Sequence, residues 1–321
     1  MKFRTEITPT AWSQTIDHSH HILSLGSCFA DNIARQLARY KFSIEASPTG
    51  ILFNPLSIAQ SVEAMKQSRD ISPEELIVCD GRYLHYAFHS SISGSTPEEA
   101  AERMNAAIHR GNRALERADY LIVTLGTAWV YRLRNTGEVV ANCHKQPAST
   151  FQRELLDVES IADALERIAS ATTARIILTL SPVRHIGEGA EDNSLSKALL
   201  RVAIDRVCRN SNRFIYFPAY EIVMDDLRDY RFYAEDLVHP SAMAVEYVAE
   251  KFFATATTPA TRQRMERIIR IVRNAEHRPQ HPESEQYKEL CRRSIAEIES
   301  LDNIDFSQEK QHFERMLQIN L

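Results

Sequence analysis

Four short apolar runs constrain this chain most. They are His21-Ile22-Leu23-Ser24-Leu25, stopped by Gly26; Tyr120-Leu121-Ile122-Val123-Thr124-Leu125, stopped by Gly126; Arg175-Ile176-Ile177-Leu178-Thr179-Leu180, closed by Ser181-Pro182; and Arg213-Phe214-Ile215-Tyr216-Phe217, ended by Pro218. Their apolar residues do not alternate with polar ones, so each run must be buried on both faces. Amphipathic segments separate them. Phe29, Ile33 and Leu37 recur at helical spacing from about Cys28, as do Ala30, Ala34 and Ala38. Further helices are expected over Pro55 to Gln67, 97–118 (opened by Thr96-Pro97-Glu98-Glu99), 155–170, 192–209 and Ser241 to Phe253. Phe42 to Ala46 reads as a second strand, 76–94 as a strand pair, and Val139 to Asn142 as a small extra strand. Strands alternating with helices predict an α/β domain with a mostly parallel sheet, in which ligands bind beyond the carboxyl ends of the strands.

Two segments lie outside this pattern. Residues 1–20 are polar and read as a lead-in arm. After Thr257 no strand is expected, and helices are predicted over about 259–275, 284–300 and 306–319. Their stripes (Ile268, Ile269, Val272; Leu290, Ile295, Ile298) need a partner surface, either the core or a second subunit. The chain therefore divides into 1–257, the α/β domain, and 258–321, a helical extension.

Composition narrows the function. The 321 residues are 44% hydrophobic, enough for a core, and carry a formal charge of −5, which gives no basis for nucleic-acid binding. No apolar run approaches the ~18 residues of a membrane span. The five cysteines, Cys28, Cys79, Cys143, Cys208 and Cys291, are widely spaced and form no C-x-x-C. An odd, scattered set argues for a reducing compartment. Met1 to Glu6 holds no apolar core of a signal peptide, so a cytoplasmic protein is expected. In that setting an isolated Cys is either packing material or a reactive thiol.

Two motifs carry chemistry. Gly26-Ser27-Cys28-Phe29-Ala30 is a strand-to-helix turn. A Cys in a first helical turn faces free N–H groups and the positive end of the dipole, which would lower its pKa and could hold an oxyanion. Ser27 equally fits a helix N-cap, and Cys28 a small buried hydrophobe. Asp236-Leu237-Val238-His239-Pro240 precedes a late helix, with Pro240 suited to position N1. A turn there would bring the Asp236 carboxylate to one imidazole nitrogen and leave the other as a general base. The same residues also fit a turn Asp and a surface His. His18, His20 and His21 have no Cys or carboxylate at metal-ligand spacing, so no metal and no cofactor are expected.

Gly26-Ser27-Cys28-Phe29-Ala30 resembles the signature of the GSCFA family. Gly50-Ile51-Leu52-Phe53-Asn54-Pro55, Leu125-Gly126-Thr127-Ala128-Trp129-Val130-Tyr131, Asn142-Cys143-His144-Lys145, Ser181-Pro182-Val183-Arg184-His185 and Phe232 to Ser241 resemble the same family, over about residues 1–255. Placement of that family with SGNH (GDSL-like) hydrolases implies a three-layer α/β/α sandwich with a flavodoxin-like sheet. It also implies acyl transfer through an acyl-enzyme, as an esterase or an acyltransferase, on a glycan or other small ester. Cys28 falls at the nucleophile position of the first block, with Ser27 as the rival, and Asp236 and His239 match Asp-x-x-His. Gly50 corresponds to the second-block oxyanion donor. The third block is Gly-x-Asn, where this chain has Ala128, leaving Thr127 or Asn142 as substitutes. Asn54, Trp129, His144, Arg184 and His185 lie in segments that would bind substrate; Trp129 also fits a core role. The alternatives are a non-catalytic binding or assembly protein of this fold and a thiol redox sensor using Cys28 alone.

Overall fold

The computed structural model describes residues 4–319. β1 (His21–Gly26) leads into α1 (Cys28–Arg39) and β2 (Ser43–Ala46). α2 (Pro55–Gln67), the short pair β3 (Ile77–Cys79) and β4 (Arg82–Leu84), and α3 (Pro97–Arg117) follow. β5 (Tyr120–Leu125) is succeeded by β6 (Trp129–Leu133), β7 (Val139–Val140) and β8 (Phe151–Leu155). Next come α4 (Val158–Ser170), β9 (Arg175–Leu180), α5 (Ala190–Asn210) and β10 (Phe214–Phe217). A one-turn α6 (Ala219–Glu221) runs into a π turn at Ile222–Leu227. The chain ends in α7 (Ala242–Ala256), α8 (Pro259–Glu276), α9 (Glu285–Glu299) and α10 (Ser307–Leu317).

Five strands form one parallel sheet in the order β10-β9-β5-β1-β2. Numbered among themselves along the chain, they run 2-1-3-4-5, the flavodoxin-like order, and the chain reverses direction across the sheet between β1 and β5. Their registers explain the unbroken apolar runs. Leu121, Val123 and Leu125 pair with Ile176, Leu178 and Leu180 on one face. That face packs on α2, α4 and α5 through Ile58, Val62, Leu165, Leu200 and Ile204. On the opposite face Ile22, Ile122 and Ile177 pack on α1 and α7 through Phe29, Ile33, Val248 and Phe252. The protein is thus a three-layer α/β/α sandwich. No helix among the described residues is long and apolar enough to cross a membrane.

Some local expectations needed correction. β6, β7 and β8 form a separate antiparallel sheet in the order β7-β6-β8. Phe151-Gln152-Arg153-Glu154-Leu155 is a strand, so the helix expected over 155–170 begins only at Val158, capped by the Asp157 side chain. Pro240 is not at N1 of a helix: Ser241 caps α7, and Pro240 bridges Tyr233. The described part of the lead-in arm is docked rather than free. Trp12 N–H and Ile16 N–H donate to the Thr255 and Ala256 carbonyls at 3.0 and 2.7 Å, and Ile16 is fully buried. Met1, Lys2 and Phe3 lie outside the described residues, as do Asn320 and Leu321.

The three last helices cover one another. Ile268, Ile271, Val272, Tyr287, Cys291, Ile298 and Phe313 make one cluster, which meets the α/β core at Tyr40. Arg39 and Lys41 tie the end of α1 to α8 and α10 through Glu276 and Glu309, each at 2.6 Å. Each stripe finds its partner within this chain, and the large exposed apolar side chains of the described residues all lie before residue 258.

Gly26 joins the site to this scaffold. Its φ is +131°, and a Cβ there would lie 2.2 Å from the Thr124 carbonyl oxygen. That backbone cannot retreat, because it is part of the β1–β5 ladder. Gly26→Ala should therefore cost more than about 3 kcal/mol, as strain and clash add. Urea unfolding of the variant would check this; a midpoint within error of wild type contradicts it.

Candidate active site

The turn after β1 sits at the sheet reversal. Ser27 N–H donates to the Thr124 carbonyl at 3.1 Å, and Leu52 N–H donates to the Gly26 carbonyl at 2.9 Å. These bonds press the 50–54 loop and the end of β5 against the turn. Ser27 has no exposed surface, and its Oγ caps α1 by accepting from Phe29 N–H at 3.3 Å. Cys28 is the first residue of α1 and is only partly buried. Its thiol does not behave as the helix dipole alone suggests. Burial pushes the pKa up and the Asp31 carboxylate adds to it, against the smaller pull of the Cys28 and Phe29 N–H groups and of Lys197. Desolvation wins because the sulfur sits among apolar neighbours while the first-turn amides supply only partial charge.

The second motif forms a tight loop at the start of the last sandwich helix. Ala234 N–H donates to the His239 carbonyl at 2.7 Å, and Leu237 adopts φ +57°, in the left-handed region. Asp236 organises this loop. One carboxylate oxygen accepts from the Val238 and His239 amides, both at 2.9 Å; the other lies 2.7 Å from His239 Nδ1. Those contacts, the His239 amide first, hold the Asp236 carboxyl at about 2. With the carboxylate at Nδ1, the neutral form of the ring carries its proton on Nδ1 and leaves Nε2 as the basic nitrogen. The His239 side chain is 48% exposed, so this nitrogen meets solvent.

The loop after β9 joins the two motifs. Arg184 N–H donates to the Val238 carbonyl at 3.1 Å, and its guanidinium lies 5.9 Å from the Tyr233 ring. The His185 ring stacks edge-on to Phe53 at 5.5 Å, and its buried Nε2 has no hydrogen-bond partner among the described residues. Burial, then the charges of Lys197 and His239, hold His185 neutral down to about pH 4. Lys197 was not anticipated from the sequence. It is 2% exposed and donates to the Gly126 and Ser181 carbonyls, each at 2.7 Å. A signal was present: Lys197 shares an i, i+3, i+7, i+10 stripe with Leu200, Ile204 and Val207, where a surface lysine does not belong.

Other candidate residues are committed to the scaffold. Gly50 donates its N–H to the Ser47 carbonyl at 2.8 Å, within the turn its φ of +85° makes. Asn54 caps α2, with Oδ1 accepting from Ser57 N–H and Nδ2 donating to Ser57 Oγ. Thr127 Oγ1 accepts from Trp129 N–H and shares a hydrogen bond with Ser196 Oγ. Asn142 holds the His144 N–H and Ser90 Oγ, and His144 itself sits between Ser90 Oγ and the His85 carbonyl. Trp129 lies under the Arg153 guanidinium at 3.4 Å. The fully buried Ala128 gives its N–H to Ser196 Oγ at 2.7 Å. The three histidines near residue 20 go separate ways: His18 stacks on Phe42, His20 meets Asp17, and His21 meets Ser43. Beside α2 and β7 lies a cavity of about 530 Å³, lined in part by Thr49, Ser61, His85, Tyr86 and Phe88.

The raised thiol pKa has a measurable sign. At pH 7 Cys28 holds less thiolate than a free cysteine, and a thiol that titrates one pH unit higher holds about tenfold less thiolate. Iodoacetamide labelling of the Cys28 peptide should keep accelerating above pH 9; a plateau below pH 8 contradicts this.

Among solved structures, a carbohydrate esterase family 3 protein from Talaromyces cellulolyticus is similar at 7% identity and a TM-score of 0.35, over 76% of this chain and 97% of that one. No curated protein matches the sequence. A family model described as "GSCFA domain protein, C-terminal domain" matches residues 268–319. The GSCFA family model itself matches residues 21–252, most of the chain and all of the sheet with its motifs, and the chain belongs to the GSCFA family.

Proposed function

We propose that the chain is an acyl-transfer enzyme of the SGNH type, acting on small or glycan esters through an acyl-enzyme on Cys28. The observation that carries this reading is the Asp236–His239 contact of 2.7 Å, in a loop hydrogen-bonded through Val238 to Arg184 in the segment after β9. An aspartate that fixes the imidazole tautomer and leaves Nε2 open is the arrangement a general base needs. Cys28 is favoured over Ser27 because Ser27 is sealed and its oxygen is a helix cap. The raised Cys28 pKa fits the same scheme, since a neutral thiol needs a base.

In this mechanism His239 Nε2 takes the Cys28 proton as the sulfur attacks the ester carbonyl carbon. The oxyanion meets backbone N–H groups. Cys28 N–H is a first-turn amide with no partner in the helix, and Ile51 N–H has no backbone partner among the described residues, unlike that of Gly50. The alcohol leaves with the proton from His239. Water deprotonated by His239 then cleaves the thioester, or a sugar hydroxyl takes the acyl group.

A second reading, a non-catalytic binding protein of this fold, is favoured by the commitment of the Asn54, Thr127 and Asn142 side chains to structure. One experiment separates the two. With p-nitrophenyl acetate, intact mass should show one added acetyl, lost in Cys28→Ala and kept in Ser27→Ala. His239→Ala should slow release of nitrophenol about 10²–10⁴-fold. No adduct on wild type, or an adduct unchanged in both Cys28→Ala and Ser27→Ala, contradicts acyl transfer and leaves the binding protein.

A further inference from the structure

Lys197 has no part in the acyl-transfer scheme, yet it stands at the same sheet edge. Lysine is almost never fully buried without a partner. This one is 2% exposed, and among the described residues no carboxylate pairs with it. Its Nζ rests on two neutral carbonyls, and the Tyr220 ring lies 6.0 Å away. Two carbonyl dipoles compensate an ammonium only partly. Burial accordingly pulls its pKa down to about 7, with Cys28 as the one group that pulls it back up.

The placement of this cation is specific. The carbonyls it holds belong to Gly126 and Ser181, the residues directly after β5 and β9. β5 is the neighbour of β1 and β9 lies beyond β5, so the ammonium stands at the carboxyl ends of these two strands, between one and two strand spacings (~5–10 Å) from the line of β1 and its turn. Ser196, the preceding residue, fixes the same loop by accepting from Ala128 N–H at 2.7 Å. The first turns of α5 thus clamp the 126–128 segment and aim a charge along the sheet edge. The groups that face Cys28 electrostatically are then Asp31 from α1, which opposes its ionisation, and Lys197 from α5, which favours it. His185, from the loop after β9, lies beside Lys197 as a neutral ring.

We infer that Lys197 is a positioning residue for Cys28: a buried, uncompensated ammonium at the sheet edge whose missing counter-charge is the Cys28 thiolate and the anion formed from it. The inference rests on Cys28 as the reacting residue and explains how a thiol held neutral at rest ionises during reaction. A negative charge on Cys28 or its substrate favours the protonated form of Lys197, and that form in turn favours the anion.

Alkylation tests this without any acyl substrate. Cys28 thiolate displaces iodide from iodoacetamide, and peptide mass spectrometry follows Cys28 alone. Lys197→Met keeps the stem and removes the charge. Its Cys28 labelling at pH 6.5, where Lys197 is protonated, should fall about threefold, with the labelling profile displaced about half a pH unit upward, while Lys197→Arg stays nearer wild type. A reciprocal arm uses the mild variant Cys28→Ser. The Lys197 ammonium, followed by its 13Cε resonance, should lose its proton at lower pH than in wild type, because the coupling acts both ways. A folded Lys197→Met whose profile overlays wild type, or a Lys197 titration unmoved in Cys28→Ser, overturns the inference. If Lys197→Met does not fold, the reciprocal arm decides. Lys197-dependent labelling in a protein that forms no acyl adduct would keep the inference and remove acyl transfer.

Discussion

The site depends on the contact between β1 and β5 at Gly26. There the first strand lies so close to its neighbour that a single methyl would strike the Thr124 carbonyl. That closeness directs the chain out of the sheet, makes Ser27 a buried cap and starts α1 at Cys28. It also lets the 50–54 loop reach the turn through Leu52, and the 126–127 amides reach back to the Phe53 carbonyl. Three segments distant in sequence are thereby locked around one residue. The sheet order adds to this, since that residue stands at the reversal between β1 and β5, the position at which sheets of this order bind ligands.

Around this turn the electrostatics divide by depth. Asp236 and His239 stand at the solvent edge, where half-exposed side chains exchange protons with water. Lys197 and the sealed His185 nitrogen lie beneath, where the low dielectric makes each charge felt more strongly. Cys28 sits between the two regimes. Burial keeps its proton on; in the proposed mechanism an outer base and an inner cation would supply two separate ways of taking it off.

Much of the fold was legible because its signals are local. β1, β5 and β9 are apolar on both faces, and Pro55, Pro97 and their caps mark helix starts that the structure repeats. The three C-terminal helices fall within one or two residues of the expected ends. Of the β6–β8 sheet only β7 was legible, because a short strand with a polar middle, such as Phe151–Leu155, carries no strand signal until its partner is known. In the site, the Asp-x-x-His spacing forecast a turn contact that depends only on nearby residues. Thr127, Asn142 and His144 have the chemistry of ligands, but they bond to Ser196, Ser90 and His85, which only the tertiary structure brings near, while Asn54 is taken up locally as the cap of α2 on Ser57. The sign of the Cys28 pKa displacement was misjudged for the same reason: the helix dipole is local, whereas desolvation comes from the packed fold.

The central claim is that Cys28 is the residue that takes the acyl group, with His239 as its base. It is tested most directly by a crystal structure of the protein trapped with a slowly hydrolysed acyl ester. Density continuous with Cys28 Sγ is expected, with His239 Nε2 within about 3.5 Å of that sulfur or its attacking water. Density on Ser27, or a native site with His239 held more than about 8 Å away, would contradict it.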